Sequence, residues 1–505
     1  MQTLSNAVQQ RNAKDDAMEY TELADYPVPT GKLSSWHFTA DENQWAEDER
    51  SLSINHEDHL RDILREEKNQ AHHDLRHVSE DWIGGAFVIH QPLDTEAFRE
   101  ALTTWFGRHE TYRTTATAHE DNDGTTTFTR YTMGPSAVHV RRNDIGIYTN
   151  DQLVRHEIHR YFAHEVNGIG WPHIAVTTIE PVTLSITGQP ADEFTVIFAA
   201  DHSVMDAYTQ LLTIAEVTEL YSAAREKRES NLPPAGSYID FCAGERAVTE
   251  TESSRDNAVE QWKNFFGRTD GQPMPPVFPL PVHPHTTTPQ PMQQQRSLST
   301  WLLGEEDVSL LGARAKDNGG STKSALLTAL KLALTELAPV ESARYIMPMH
   351  TRYEPKYMLS AGWFVGLTPV DDPLNGATSF TEAFEDTVAA TKLHRDLSVY
   401  PYAAVCDELG ITEPPRFVVS YVDTRFIPGA DAWTERERVL RSSVMSDDDV
   451  YIWLNRANGG LNVSMRYPNN PQAEESVSAF LSRFTTILTQ VIETGDYTAT
   501  VLVTA

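Results

Sequence analysis

Cysteine is almost missing from this 505-residue chain: Cys242 and Cys406 are the only two. One potential pair makes no disulfide framework, and neither residue sits in a metal-ligand spacing. Basic residues are also scarce, 41 Lys and Arg against 72 Asp and Glu, a formal net charge of −31. A field of that sign repels phosphate backbones and anionic head groups, so no nucleic-acid partner and no electrostatic membrane attachment are expected. Long apolar runs are lacking too. The most hydrophobic helical candidate, 324–338, is interrupted by Lys331 and Glu336, and a bilayer crossing needs roughly 20 apolar residues. The first residues hold no apolar centre of signal-peptide type. No Gly-rich loop of P-loop or Rossmann spacing occurs, so ATP and NAD are not expected, and no 20–50-residue repeat is visible. These absences point to a cytoplasmic monomer with no integral membrane segment and no bound cofactor or metal.

What is present is a globular composition, 40% hydrophobic and 22% charged. The length exceeds one ordinary core, so two lobes are expected. Residues 1–30 are polar and read as a mobile leader. An N-terminal lobe is expected over 31–230 and a C-terminal lobe over 301–505. Between them, 231–300 forms a crossover whose Pro/Gln-rich part, 271–298, runs extended over the surface, because dense proline blocks helix and interior strand. Helical spacing marks 56–78, 93–109 with Asp94 or Thr95 as cap, 151–166, 209–227, 321–338, 378–396 and 472–494. Apolar runs predict strands at 82–90, 193–200, 343–349, 416–422, 450–456 and 460–466, with a hairpin turn at Asn458-Gly459-Gly460.

His-x-x-x-Asp occurs five times: His37/Asp41, His77/Asp81, His90/Asp94, His119/Asp123 and His202/Asp206. Spacing therefore selects nothing. Only the last pair follows an apolar strand, Glu193–Ala200, and precedes an apolar helix, which is where rigid elements often hold a catalytic loop. Imidazole titrates near working pH and suits a general base. The plain alternative is a hydrogen-bonded structural histidine with Asp206 as a helix cap. His72, His73 and His77 lie among charged residues and read as a solvated helix face, not a metal site.

A series of segments resembles nonribosomal-peptide condensation domains, in order over about 80–495. RHETYRT (108–114) is similar to their RHexLRT signature, DHSVMDA (201–207) to HHxxxDG, and YIDFCAGER (238–246) to the segment after it. SAGWFVGLTPV (360–370) resembles their Gly-x-Phe-Val motif and VYPYAAVCDEL (399–409) their Tyr-Pro-Phe motif. GWFVGLTPV, YIWLNRANGG and VSMRYPNNPQAEESV are more like the stand-alone polyketide-associated acyltransferases of mycobacteria and other actinomycetes.

The resemblance implies an α/β fold of two chloramphenicol-acetyltransferase-like lobes forming a V around a central tunnel. It implies an acyltransferase with coenzyme A or a phosphopantetheine thioester as co-substrate, an acyl carrier protein as a candidate partner, and a small-molecule or glycolipid hydroxyl as acceptor. His202 would be the base. Asp206 would pair structurally with an arginine of the second lobe, best matched by Arg352. Two departures stand out: Asp201 replaces the first motif histidine, and Ala207 replaces the glycine. Asp201 would put negative charge beside His202 and raise its basicity; Ala207 requires a negative φ there. Trp363 and Phe364 read as core or tunnel wall, His350 and Ser420 as residues near the tunnel, Ser420 with an oxyanion role in view. Arg108 and Arg113 read as fold-holding ion pairs. An amide-forming condensation enzyme and an inactive carrier-binding module remain the alternatives.

Overall fold

The computed structural model describes residues 19–72, 82–122, 124–182, 191–267, 274–284 and 293–499. Its architecture is mixed α/β, built on a sheet of seven strands and a sheet of six, with a three-stranded sheet beside them.

The seven-stranded sheet has the order β1 (Glu19–Glu22), β14 (Arg438–Arg441), β4 (Trp82–Ile89), β9 (Phe194–Asp201), β8 (Ile174–Glu180), β2 (Gly31–Thr39), β7 (His139–Tyr148). Its central strand β9 is buried at every residue. Phe194, Val196, Phe198 and Ala200 enter one core cluster, while Ile197 and Ala199 enter the cluster on the opposite face. Covering helices on both faces explain the unbroken apolar run. The three-stranded sheet joins β3 (Ala46–Asp48), β6 (Thr126–Thr132) and β5 (Thr114–Glu120).

The six-stranded sheet has the order β10 (Arg296–Gly304), β16 (Gly460–Tyr467), β15 (Val450–Ala457), β13 (Phe417–Asp423), β11 (Ser342–His350), β12 (Val365–Pro373). β15 and β16 form the expected hairpin, Ala457 pairing with Gly460.

Among the described residues the helices are α1 (Ile54–His72), α2 (Thr95–Arg108), α3 (Asp151–Glu165), α4 (Ala207–Glu226), α5 (Tyr238–Thr249), α6 (Glu252–Phe266), α7 (Glu305–Asp317), α8 (Thr322–Leu337), α9 (Phe380–Leu393), α10 (Tyr402–Leu409) and α11 (Pro471–Thr494). Of the two cap candidates for α2, Asp94 does the work, accepting from Glu96 N and Ala97 N. The charges that interrupt α8 are paired rather than solvated. Lys331 is fully buried and donates to Asp372 at 2.7 Å and Ala383 O at 2.9 Å. Glu336 accepts from Tyr497 and pairs with Arg483. Among the described residues no helix is long and apolar enough to cross a membrane, and no group of three His, Cys, Asp or Glu could hold a metal ion.

Three boundary expectations need correction. The leader does not run to residue 30: β1 begins at Glu19, and Tyr20, Leu23, Tyr26 and Val28 are buried; residues 1–18 lie outside the described residues. The stretch 301–505 is not one lobe, because β14 leaves it and pairs with β4 on one side and β1 on the other. The Pro-rich connection does not simply ride on the surface, since Phe278, Leu280 and Val282 enter the core of the six-stranded sheet. Proline forbids the hydrogen-bond ladder, yet alternate apolar residues still bury their side chains. Of the three histidines read as a solvated face, His72 closes α1 and His73 and His77 lie outside the described residues.

Candidate active site

β9 ends at Asp201, and a single 3-10 turn, His202–Val204, carries the chain to α4. Asp201 caps that turn by accepting Ser203 N–H at 2.9 Å. Asp206 caps α4 by accepting Thr209 N–H at 2.8 Å. His202 is thus suspended between two aspartate caps, one for each short change of backbone direction. Ala207 is the first helical residue and has no positive φ, so the turn does not need the glycine that it replaces.

Asp206 and Arg352 make the expected pair, bidentate at 2.7 and 3.0 Å, with exposures of 1% and 3%. The same guanidinium reaches Thr209 Oγ1 and Ser360 O and lies over the rings of Phe364 and Tyr208, at 4.3 and 4.8 Å. Phe364 N–H donates to the second carboxylate oxygen at 3.0 Å. Burial would raise the Asp206 pKa; the Arg352 charge and these hydrogen bonds outweigh it and hold the carboxyl below its usual range. Both oxygens are engaged by groups other than His202. Asp206 therefore fixes the loop rather than the imidazole.

The His202 ring is half-buried and packs 4.4 Å from the Trp363 ring, tilted by 44°. Its Nδ1 is buried without a hydrogen-bond partner among the described residues. A buried nitrogen left without a partner calls for an explanation, and a catalytic role is one; Nδ1 of the buried His56 is likewise unpaired. Trp363 is brought there by Gly362, whose φ of +150° and close approach to the Tyr238 ring leave no room for a Cβ.

Asp201 is not the bare charge beside the base that the sequence suggests. It is buried, and His59 Nε2 of α1 lies 3.2 and 3.1 Å from its two oxygens. Burial would raise its pKa, but His59, Ser203 and His173 together drive it well below the usual range.

His350 ends β11, exposed, its ring 6.1 Å from that of Tyr353. Partial desolvation of the ring, and then the Arg352 charge, lower its pKa. Ser420 is buried on β13 opposite Trp453, and no hydrogen bond joins it to the His202 group. The turn, Asp206, Arg352 and Trp363 are thus one assembly; Ser420 is not part of its bonded network. Arg108 makes its expected ion pair, with Glu216 at 2.8 Å. Arg113 does not: it donates to the carbonyl oxygens of Phe106 and Met133, which its burial makes the nearest acceptors.

Sequence reasoning passed over three residues. His109 is buried, its Nε2 2.6 Å from Glu216 of α4, and its Nδ1 accepts Ala361 N–H at 3.3 Å. An accepting Nδ1 fixes the proton on Nε2, so His109 and Glu216 tie the helix behind His202 to the loop behind Trp363. His59 is the third; its helix is charged and offered no signal to separate it from a solvated face.

The fold is the chloramphenicol-acetyltransferase-like one shared with solved condensation-domain and PapA structures. Within it, the chain belongs to the condensation-domain family, whose model matches residues 71–502. The acyltransferase PapA3 of Mycobacterium tuberculosis is 28% identical over 320 residues, 61% of this chain and 66% of that protein, just under two thirds of its length. The trehalose-2-sulfate acyltransferase PapA2 of Mycobacterium bovis is 27% identical over 325 residues, 62% of this chain and 67% of that protein. Among solved structures, a PapA2 acyl transferase superposes with a TM-score of 0.77 at 22% identity, over 94% of this chain and all of that one. The starter condensation domain of rhizomide synthetase RzmA, solved with C8-CoA, gives 0.62 at 14% identity over 89% of this chain and 96% of that chain.

Proposed function

We propose that the protein transfers an acyl group from a thioester, coenzyme A or a carrier-protein arm, to a hydroxyl acceptor in lipid biosynthesis, with His202 as general base and Asp206, Arg352 and Asp201 as its support. The observation that carries the reading is the half-buried imidazole with an orphaned Nδ1, held on a doubly capped turn between strand and helix. His202 takes the proton of the acceptor hydroxyl as its oxygen attacks the thioester carbonyl. The C–S bond of the tetrahedral adduct then breaks, the carbonyl re-forms, and the proton passes to the departing thiolate, giving ester and thiol. No covalent acyl-enzyme is required. Trp363 forms one wall beside the ring, and His350 and Ser420 are assigned to the tunnel, Ser420 as an oxyanion donor.

Ester formation and a glycolipid acceptor are favoured by the likeness to PapA2, which is named for trehalose-2-sulfate, and a coenzyme A donor by the bound C8-CoA of the RzmA domain. The acidic surface and the lack of a membrane-crossing helix among the described residues suit work in the cytoplasm.

The test is acyl transfer from acyl-coenzyme A and from acyl-carrier donors to an alcohol and to an amine. Wild type should prefer the alcohol, and His202→Ala should lose roughly 10²–10⁴-fold in transfer rate, the usual contribution of a general base. Equal rates for the two proteins would remove His202 from the mechanism, and preference for the amine would make the protein a peptide-type condensation enzyme.

A further inference from the structure

The helix that delivers His59 lies almost wholly before residue 71, where the condensation-domain match begins. Its first two turns are nevertheless tied to the His202 assembly. Ser53, just before it, shares a hydrogen bond with Tyr238. Asn55 donates to Val365 O, two residues after Trp363, and Glu57 pairs with Arg246 of α5. One turn on, His59 meets Asp201 and also presents its ring edge-on to Trp363, 5.8 Å away at 86°. The Trp363 indole thus touches two imidazoles, His59 and the base His202.

Asp201 needs such a partner. A buried carboxylate without one is costly, and one residue from the base it would act on the imidazole directly. The motif histidine that would stand at 201 is absent, and an imidazole reaches the same turn from α1 instead. Its other surroundings are cationic or neutral. His173, just before β8, turns both ring nitrogens to carbonyl oxygens, of Asn167 and Thr114. His56 of α1 and Arg130 of β6 are further titratable or charged groups of this cluster. Gly168 leaves space for this pair: a Cβ there would lie 3.0 Å from Asp201 Oδ2 and 2.5 Å from Ile63 of α1.

We propose that His59 is a positioning residue of the active site. It fixes and neutralises Asp201, and through the bond from Asp201 to Ser203 N–H it fixes the turn that presents His202. The base therefore works beside a compensated carboxylate rather than a bare one. This rests on the reading of His202 as general base.

The test is a cycle of four proteins: wild type, His59→Gln, Asp201→Asn and the double variant. Each is assayed for kcat and kcat/KM across roughly pH 5 to 9, the range in which imidazole titrates, with thermal unfolding to confirm that each folds. His59→Gln should leave Asp201 uncompensated, favour the imidazolium of His202, and move the acid limb of kcat/KM up by roughly one unit. Asp201→Asn should move the limb the other way, and the double variant should return it to near the wild-type position. A purely structural contact would change stability and kcat without moving the limb. Ring ¹⁵N shifts of His202 in the same four proteins report its titration without any turnover. If wild type is active and His202→Ala is not, yet neither limb nor ¹⁵N titration moves in folded His59→Gln, the positioning role is wrong and the base stands. A double variant whose limb stays where His59→Gln puts it would also reject it, because the shift would then not come from the uncompensated Asp201 charge. If wild type has no turnover while the ¹⁵N titrations shift as stated, the proposed activity fails and the coupling holds.

Discussion

At the scale of single residues, Arg352 is the most heavily engaged side chain of the site. Its guanidinium meets a carboxylate, a hydroxyl, a carbonyl and two aromatic faces, all at 3% exposure. A buried pair of this kind contributes little net stability against an apolar replacement, but losing one partner strands the other charge. Arg352→Met should therefore destabilise the fold by about 3–5 kcal/mol, read as a lower urea midpoint, and should lower kcat by freeing the turn. The pair also sets a pH dependence. A carboxyl held below its unfolded value adds stability that is complete above about pH 4 and is lost as the pH falls through the folded value. Asp206 is held in that direction by Arg352 and its hydrogen bonds. Urea midpoints measured from neutral pH downward should fall steeply on the acid side in wild type. In Asp206→Asn the slope should be shallower and the neutral-pH stability lower; parallel curves would show that Asp206 is not the titrating support.

At the scale of elements, α4 carries the site. Its N-terminus holds Asp206, and nearly three turns on Glu216 receives Arg108 and His109. Glu216→Ala should strand the Arg108 guanidinium, leave His109 Nε2–H without its acceptor and unlock the loop that carries Trp363, at a cost of about 3–5 kcal/mol. Its effect on transfer should resemble that of Trp363→Ala, and additivity of the two in a double variant would show that they are not coupled. The elements that were legible are those whose apolar spacing is set by burial: β9 runs unbroken where both faces are covered, and α2 and α4 begin at capping aspartates, whereas β2, β7 and β8 of the same sheet were not recognised. The Asp206–Arg352 pair was legible only through the family resemblance, since nothing local in the Arg352 segment points 146 residues back. β1 and β14 were not legible. EYTE and RVLR are four residues each, too short to show a period, and become strands because a sheet edge awaits them. His59 failed for a related reason: its helix is charged on most faces, and burial of one imidazole is decided by the distant Asp201.

At the scale of the whole molecule, β14 makes the two sheets one folding unit. Residues 438–441 come from the second half of the chain yet complete the first sheet, Leu440 facing Gly84 and entering the core behind β9. Gln210 of α4 seals the joint by donating to Gly84 O at 2.7 Å and Leu440 O at 3.0 Å. Arg441, the last residue of β14, turns the other way and lays its guanidinium over Trp453 of the six-stranded sheet at 4.1 Å, with hydrogen bonds to Ser297 and Ser464. Neither sheet can lose its structure without disturbing this strand. The chain should accordingly unfold in one calorimetric transition, with the van't Hoff and calorimetric enthalpies equal. Leu440→Ala tests the coupling directly. Removing a fully buried leucine costs about 2–5 kcal/mol, and although the cavity lies in the first sheet, amide exchange should accelerate by the same free energy in β9 and in α8, which packs on the six-stranded sheet. Acceleration confined to β4 and β9, with α8 unchanged, would mean that the two sheets open independently and that β14 does not couple them.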